Sequence, residues 1–162
     1  MGANGAIGVA PSGALRIPYK ILPITAPAPA YPGEKFTWAP ILSVSLIINH
    51  RPTKRFEAIV DSGAATCLFH ANFATACGLK VDSVQPEPLG GIIGGAKGSV
   101  FYHEVKLVVP GGGGPIKITA GFSPQLAVAA LLGRHGFFEH FTVTFDACAT
   151  PPCLVLERFH RA

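Results

Sequence analysis

The sequence predicts a mainly β protein with one or two short helices. Short apolar runs, several of them alternating with polar residues, recur from Ile41 onward. Glycine and proline, 19 and 15 of 162 residues, are spread along the chain and punctuate those runs, as many short strands and tight turns require. Apolar residues make up 49% and charged residues only 14%. A disordered chain needs the reverse balance, and this length suits one domain with a real core. So little charge also suggests that some apolar surface is kept for a partner.

Residues 1–35 contain Pro11, Pro18, Pro23, Pro27, Pro29 and Pro32 and sustain no apolar period. They are expected to form a Gly/Pro-rich extended arm, lying along the body or reaching a partner subunit, ahead of a domain over 36–162. Ile41–Ile48 alternates and then turns wholly apolar, which predicts a strand half buried and then fully buried. Asn49-His50-Arg51-Pro52 is a turn cluster, and Phe56–Val60 returns as a second strand. Residues 71–77 read as a short helix stopped by Gly78. Residues 90–98, GGIIGGAKG, are the most glycine-dense apolar stretch. Residues 100–109 alternate as a strand, 111–114 form a glycine hairpin tip, and 115–120 return. Residues 127–133 are an apolar run ending in glycine, and 134–140 suit one or two helical turns. Residues 141–145 and 154–157 read as further strands, with Phe137, Phe138, Phe141 and Phe145 assigned to the core.

Several classes are disfavoured. The longest apolar candidate, residues 116–133, contains Lys117, Ser123, Pro124 and Gln125, so no membrane span is expected. The opening MGANGAIGVAPSGALR has no basic stretch before an apolar block, which argues against a secretory signal and for a cytoplasmic protein. The net charge of +4 is not clustered, so nucleic acid is not an expected partner. Cys67, Cys77, Cys148 and Cys153 form no C-x-x-C, and reduced thiols are expected. Cys148 and Cys153 nevertheless flank Ala-Thr-Pro-Pro, a turn across which two thiols can meet. His135 and His140 are too weak a pattern for zinc.

The chemistry-bearing feature is Asp61-Ser62-Gly63-Ala64 at the end of the apolar strand FEAIV. Glycine allows a sharp turn and a close backbone approach. Turn amides can hydrogen-bond the carboxylate and keep it ionised. One such acid is half a machine. Two together share a proton, one acting as base on a water while the other acts as acid on a carbonyl. That arrangement hydrolyses an amide without metal, cofactor or covalent intermediate.

FEAIVDSGAATCLF, GGIIGGAKG and LLGRHGFFEHFTVTFD, in that order, resemble the retropepsin-like aspartic proteases, in particular the single-domain prokaryotic-type relatives of retroviral proteases. The resemblance spans roughly residues 40–160. It implies a closed acid-protease β-barrel, half of a bilobal pepsin-type enzyme. It also implies that Asp61 is the catalytic acid, that the Ser62 hydroxyl grips its symmetry mate, and that Gly63 and Ala64 complete the turn. Leu131, Leu132 and Gly133 then thread behind the aspartate, and Arg134 pairs with an acid at the dimer interface.

The aspartate inventory extends this. The chain has only Asp61, Asp82 and Asp146, and neither of the last two precedes Ser/Thr-Gly. A dyad must therefore draw its second member from another copy, which makes the expected enzyme a homodimeric endopeptidase acting on a peptide or protein substrate. The glycine stretch fails as a phosphate loop, because Ala96 and Gly98 stand where Gly and Ser/Thr are needed. As a flap it works: Ile92, Ile93, Gly94, Gly95 and Ala96 would close over substrate with an apolar underside. Two other readings remain at this level. One is a thiol nucleophile at Cys67 with His70, His103, His135 or His140. The other is a non-catalytic peptide-binding or oligomerisation module on the same fold.

Overall fold

The computed structural model describes residues 8–9, 13–26, 28–90 and 98–159. Within them the strands are β1 (Gly8–Val9), β2 (Leu15–Pro18), β3 (Lys20–Pro23), β4 (Phe36–Ala39), β5 (Ile41–Ile48), β6 (Arg51–Pro52) and β7 (Phe56–Val60). After β8 (Leu68–His70) comes the helix α1 (Ala71–Ala76), then a 3-10 turn over Val81–Ser83. The chain continues as β9 (Glu87–Pro88), β10 (Ser99–Val108), β11 (Ile116–Ser123), β12 (Ala130–Leu132), β13 (Phe141–Asp146) and β14 (Cys153–Arg158).

Six strands, in the order β5-β7-β12-β8-β11-β10, close on themselves because β10 also pairs with β5. This is the closed, mainly β barrel expected from the sequence. Closure leaves one inner face, and strand alternation fills it. Leu42, Val44, Leu46 and Ile48 of β5 point inward, all essentially buried, beside Ala58 and Val60 of β7 and Leu107 of β10. Each fully buried Val, Leu or Ile contributes about 1.5–3 kcal/mol. The expected full burial of the end of β5 is corrected at Ile47, which is half-buried. It points to the outer face, opposite Lys106 and Pro52. The period of two continues even where the sequence turns wholly apolar.

The turn cluster forms as read. Asn49 and His50 take φ of +50° and +63°, the left-handed pair of a two-residue hairpin turn between Ile48 and Arg51. The helix also forms. His70 caps it through Nδ1, which accepts from the Asn72 amide, and Gly78 ends it at φ +76°. Residues 134–140 are turns, not helix. The amides of Phe137 and Phe138 both reach the Gly133 carbonyl, and that of His140 reaches Phe137. Phe137 and Phe141 are core residues, but Phe145 is 40% exposed. Burial falls along β13 from Phe141 to Val143 to Phe145.

A second sheet, β1-β2-β14-β13, joins the two ends of the described chain. Leu15–Pro18 pairs with Leu156–Cys153, and the Tyr19 amide donates to the Pro152 carbonyl. The third sheet is the two-stranded ribbon β3–β4, which lies immediately before the barrel. The four cysteines are free: Cys148 is exposed while Cys67, Cys77 and Cys153 are buried, so no bridge spans the Ala-Thr-Pro-Pro turn. Among the described residues no helix is long and apolar enough to cross a membrane.

Candidate active site

Asp61 stands where β7 leaves the barrel wall. Two backbone bonds hold its position: the Val60 amide donates to the Pro40 carbonyl at 2.9 Å, and the Asp61 amide to the Leu132 carbonyl at 3.1 Å. The chain then reverses. The Ala64 amide reaches back to the Asp61 carbonyl at 3.2 Å, and the Gly63 amide donates to Asp61 Oδ1 at 2.8 Å. A turn amide on a carboxylate oxygen fixes its aim. Asp61 and Ala64 are half-buried, while Ser62 and Gly63 are exposed. A Cβ on Gly63 would come within 3.1 Å of Asp61 Oδ1, so glycine keeps that oxygen uncrowded.

Behind the turn runs β12. It pairs parallel to β7, Leu131 with Ile59 and Leu132 with Val60. Gly133 then passes so close to the turn that a Cβ would collide with the Thr66 carbonyl and lie 2.8 Å from that of Ala64. The next residues zip onto the loop: Arg134 N to Ala64 O and His135 N to Ala65 O, both 2.9 Å, then Cys67 N to His135 O at 3.2 Å. The Arg134 guanidinium is exposed and caps the turn, its Nη1 donating to the carbonyls of Ser62 at 2.9 Å and Gly63 at 3.1 Å. Within the protomer, Arg134 thus meets carbonyls of the aspartate turn rather than an acid.

The structure therefore brings Asp61, Ser62, Gly63, Ala64, Leu132, Gly133 and Arg134 into one assembly. It also adds a contact that had no local signal. Thr66 Oγ1 and the Tyr102 hydroxyl meet at 3.2 Å and tie the loop to β10. Ile92, Ile93, Gly94, Gly95 and Ala96 lie outside the described residues. The hairpin that carries them is described at its base, where Glu87 pairs with Val100 and the Leu89 amide donates to the Gly98 carbonyl.

The thiol reading is corrected. Cys67 is fully buried, with Sγ directed at the Gly133 carbonyl, 3.9 Å away. Burial pushes its thiol up to about 12, so it stays protonated and non-nucleophilic. A desolvated thiolate would have no compensating charge there.

No protein-family profile and no curated protein matches the chain. Its fold is similar to that of a retropepsin-like aspartic protease from Rickettsia conorii. The TM-score is 0.54 at 14% identity, over 88% of this chain and 89% of that one. The EIAV protease complexed with the inhibitor HBY-793 has a TM-score of 0.46 and 21% identity, over 64% of this chain and 86% of that one. The retroviral protease-like domain of Ddi1 from Leishmania major has 0.48 and 20%, over 75% and 95%. The retropepsin resemblance of the sequence holds at the level of the fold.

Proposed function

We propose that this chain is an aspartic endopeptidase that works as a homodimer. Asp61 from each of two copies meets its counterpart on a twofold axis. The pair shares one proton, so that one carboxylate takes a proton from water while the other donates to the peptide carbonyl. Ser62 and Gly63 hold the turn, and Leu132, Gly133 and Arg134 support it from behind. The hairpin bearing Ile92, Ile93, Gly94, Gly95 and Ala96 closes over an extended peptide and excludes water. The protein works in the cytoplasm, where its thiols stay reduced.

The observation that carries this reading is the Asp61 carboxylate itself. It is aimed by the Gly63 amide at 2.8 Å, on a turn fastened to β12 by the Leu132 carbonyl. The test is cleavage of a quenched peptide library by the full chain, with and without a statine-type transition-state analogue. Cleavage that the analogue blocks, and that Asp61→Asn abolishes while the dimer persists, is the expected result. Undiminished turnover in Asp61→Asn would end the proposal.

A further inference from the structure

The ribbon β3–β4 carries three of the large exposed apolar side chains of the described chain, Ile21, Phe36 and Trp38. Its register places Ile21 opposite Trp38 and Pro23 opposite Phe36. Residues two apart share a face, so these four side chains form one apolar side. Ile21 is 55%, Phe36 59% and Trp38 46% exposed. The opposite side is covered mainly at its root: Lys20 forms an ion pair with Glu57 of β7, Thr37 and Ala39 are half-buried, and Leu22, opposite Thr37, is 37% exposed. Beyond the strands the Ile24 amide donates to the Lys35 carbonyl at 2.9 Å, extending the ribbon by one rung.

We propose that β3 and β4 form a clasp whose Ile21, Pro23, Phe36 and Trp38 face is covered by a second copy of this chain. This rests on the homodimer reading above. Three features favour that occupant. A two-stranded ribbon is marginal alone, and one with an aromatic face to water needs a cover. An aromatic side chain covers about 150–250 Å², so two at about half exposure, with Ile21, offer on the order of 200–300 Å². That is a substantial share of the roughly 800 Å² each partner contributes to a stable pair.

The third feature is position. Two carboxylates sharing a proton come within about 3 Å, so the twofold axis passes beside Asp61. Pro40, the first residue after β4, accepts from Val60, the neighbour of Asp61. The root of the ribbon is therefore within about 10 Å of that axis. Its four-residue strands are about 13 Å long, which puts the partner copy within reach. The ribbon then joins the two copies from outside the site, and each copy clasps the other by symmetry.

The test is sedimentation equilibrium of the full chain across a concentration series, beside activity per subunit. In Phe36→Ser/Trp38→Ser, with fold verified by circular dichroism, the dimer dissociation constant should rise tenfold or more. Activity should fall at low concentration and recover as concentration rises. Phe36→Leu/Trp38→Phe, which keeps the apolar area, should restore dimer affinity. Phe36→Ser alone serves if the double variant does not fold. An unchanged dissociation constant with unchanged activity overturns the clasp and leaves the protease reading standing. An unchanged constant with a raised KM also overturns it, assigning the face to substrate. A wild-type chain that stays a lone protomer at every concentration removes both.

Discussion

The Arg134 guanidinium closes the loop that begins at Asp61, its Nη1 donating to the Ser62 carbonyl at 2.9 Å. The same nitrogen also reaches Gly63 O, so one side chain on the segment after β12 holds two consecutive carbonyls of the aspartate turn. Charge-assisted bonds of this kind are stronger than neutral ones, although solvent at this exposed position weakens them. Arg134→Met is expected to lower Tm by about 2–4 °C at fixed protein concentration, in line with about 1 kcal/mol. Peptide turnover should fall about 10- to 100-fold, with the larger change in kcat, because the carboxylate loses its aim. Calorimetry and steady-state kinetics check the two effects.

Gly133→Ala is a sharper case. The new methyl has nowhere to go, since it meets the backbone carbonyls of Thr66 and Ala64 rather than a movable side chain. Relief requires separating β12 from the loop after Asp61, which breaks the Arg134–Ala64 and His135–Ala65 bonds. A loss of about 3 kcal/mol or more, or failure to fold, is expected. Urea unfolding measures it. A variant of wild-type stability would mean the two segments are not clamped together.

The cysteines should react very unequally. Cys148 is exposed, while Cys67 lies fully buried with its thiol held up to about 12. Brief alkylation of the folded protein at pH 8 should modify Cys148 and spare Cys67, as read by peptide mass spectrometry. Denaturant should equalise them. The folded thiol stays protonated while the unfolded one ionises near 9, so its contribution to stability is intact below that pH and declines as pH rises toward 12.

Glu139 behaves in the opposite sense. The Gly136 amide on Oε2 at 3.1 Å, and secondarily His135 Nδ1 at 3.0 Å, hold its carboxyl below the usual range, against a smaller opposing effect of burial. A lowered folded value stabilises above the unfolded value and loses that effect as pH falls through the folded one. Glu139→Gln should therefore lower Tm by about 1–2 °C at pH 7, a small effect because the Glu139 and His135 side chains are exposed. The difference from wild type should shrink as pH falls and vanish once the Glu139 carboxyl is protonated in both states. A gap that persists there would point to packing instead.

Much of the barrel was legible because its information is local. The alternation of Leu42, Val44 and Leu46, the Asn49-His50 turn and the Gly78 stop each act over a few residues. Asp61 was legible for the same reason, since an acid followed by Ser-Gly after an apolar strand is a local pattern. Leu132, Gly133 and Arg134 were legible only through the family resemblance. Their contacts with Val60, Thr66 and Ser62 bridge some seventy positions, and no periodicity encodes that distance. Turns in place of helix at 134–140, and the outward aim of Ile47, follow from pairing partners that an isolated segment does not know.

The linear chain alone determined the alternating strands, the turn chemistry and the presence of a single aspartate in an Asp-Ser-Gly setting. These depend on backbone sterics and on apolar residues leaving water, which act at short range. Tertiary structure decided the rest: that Gly133 and Arg134 brace that aspartate, that Cys67 is sealed inside, and that the proline-rich opening folds into β2 and an apolar ribbon. Those outcomes depend on which distant segments the closing barrel presses together. Burial is a property of that enclosure, not of any one residue.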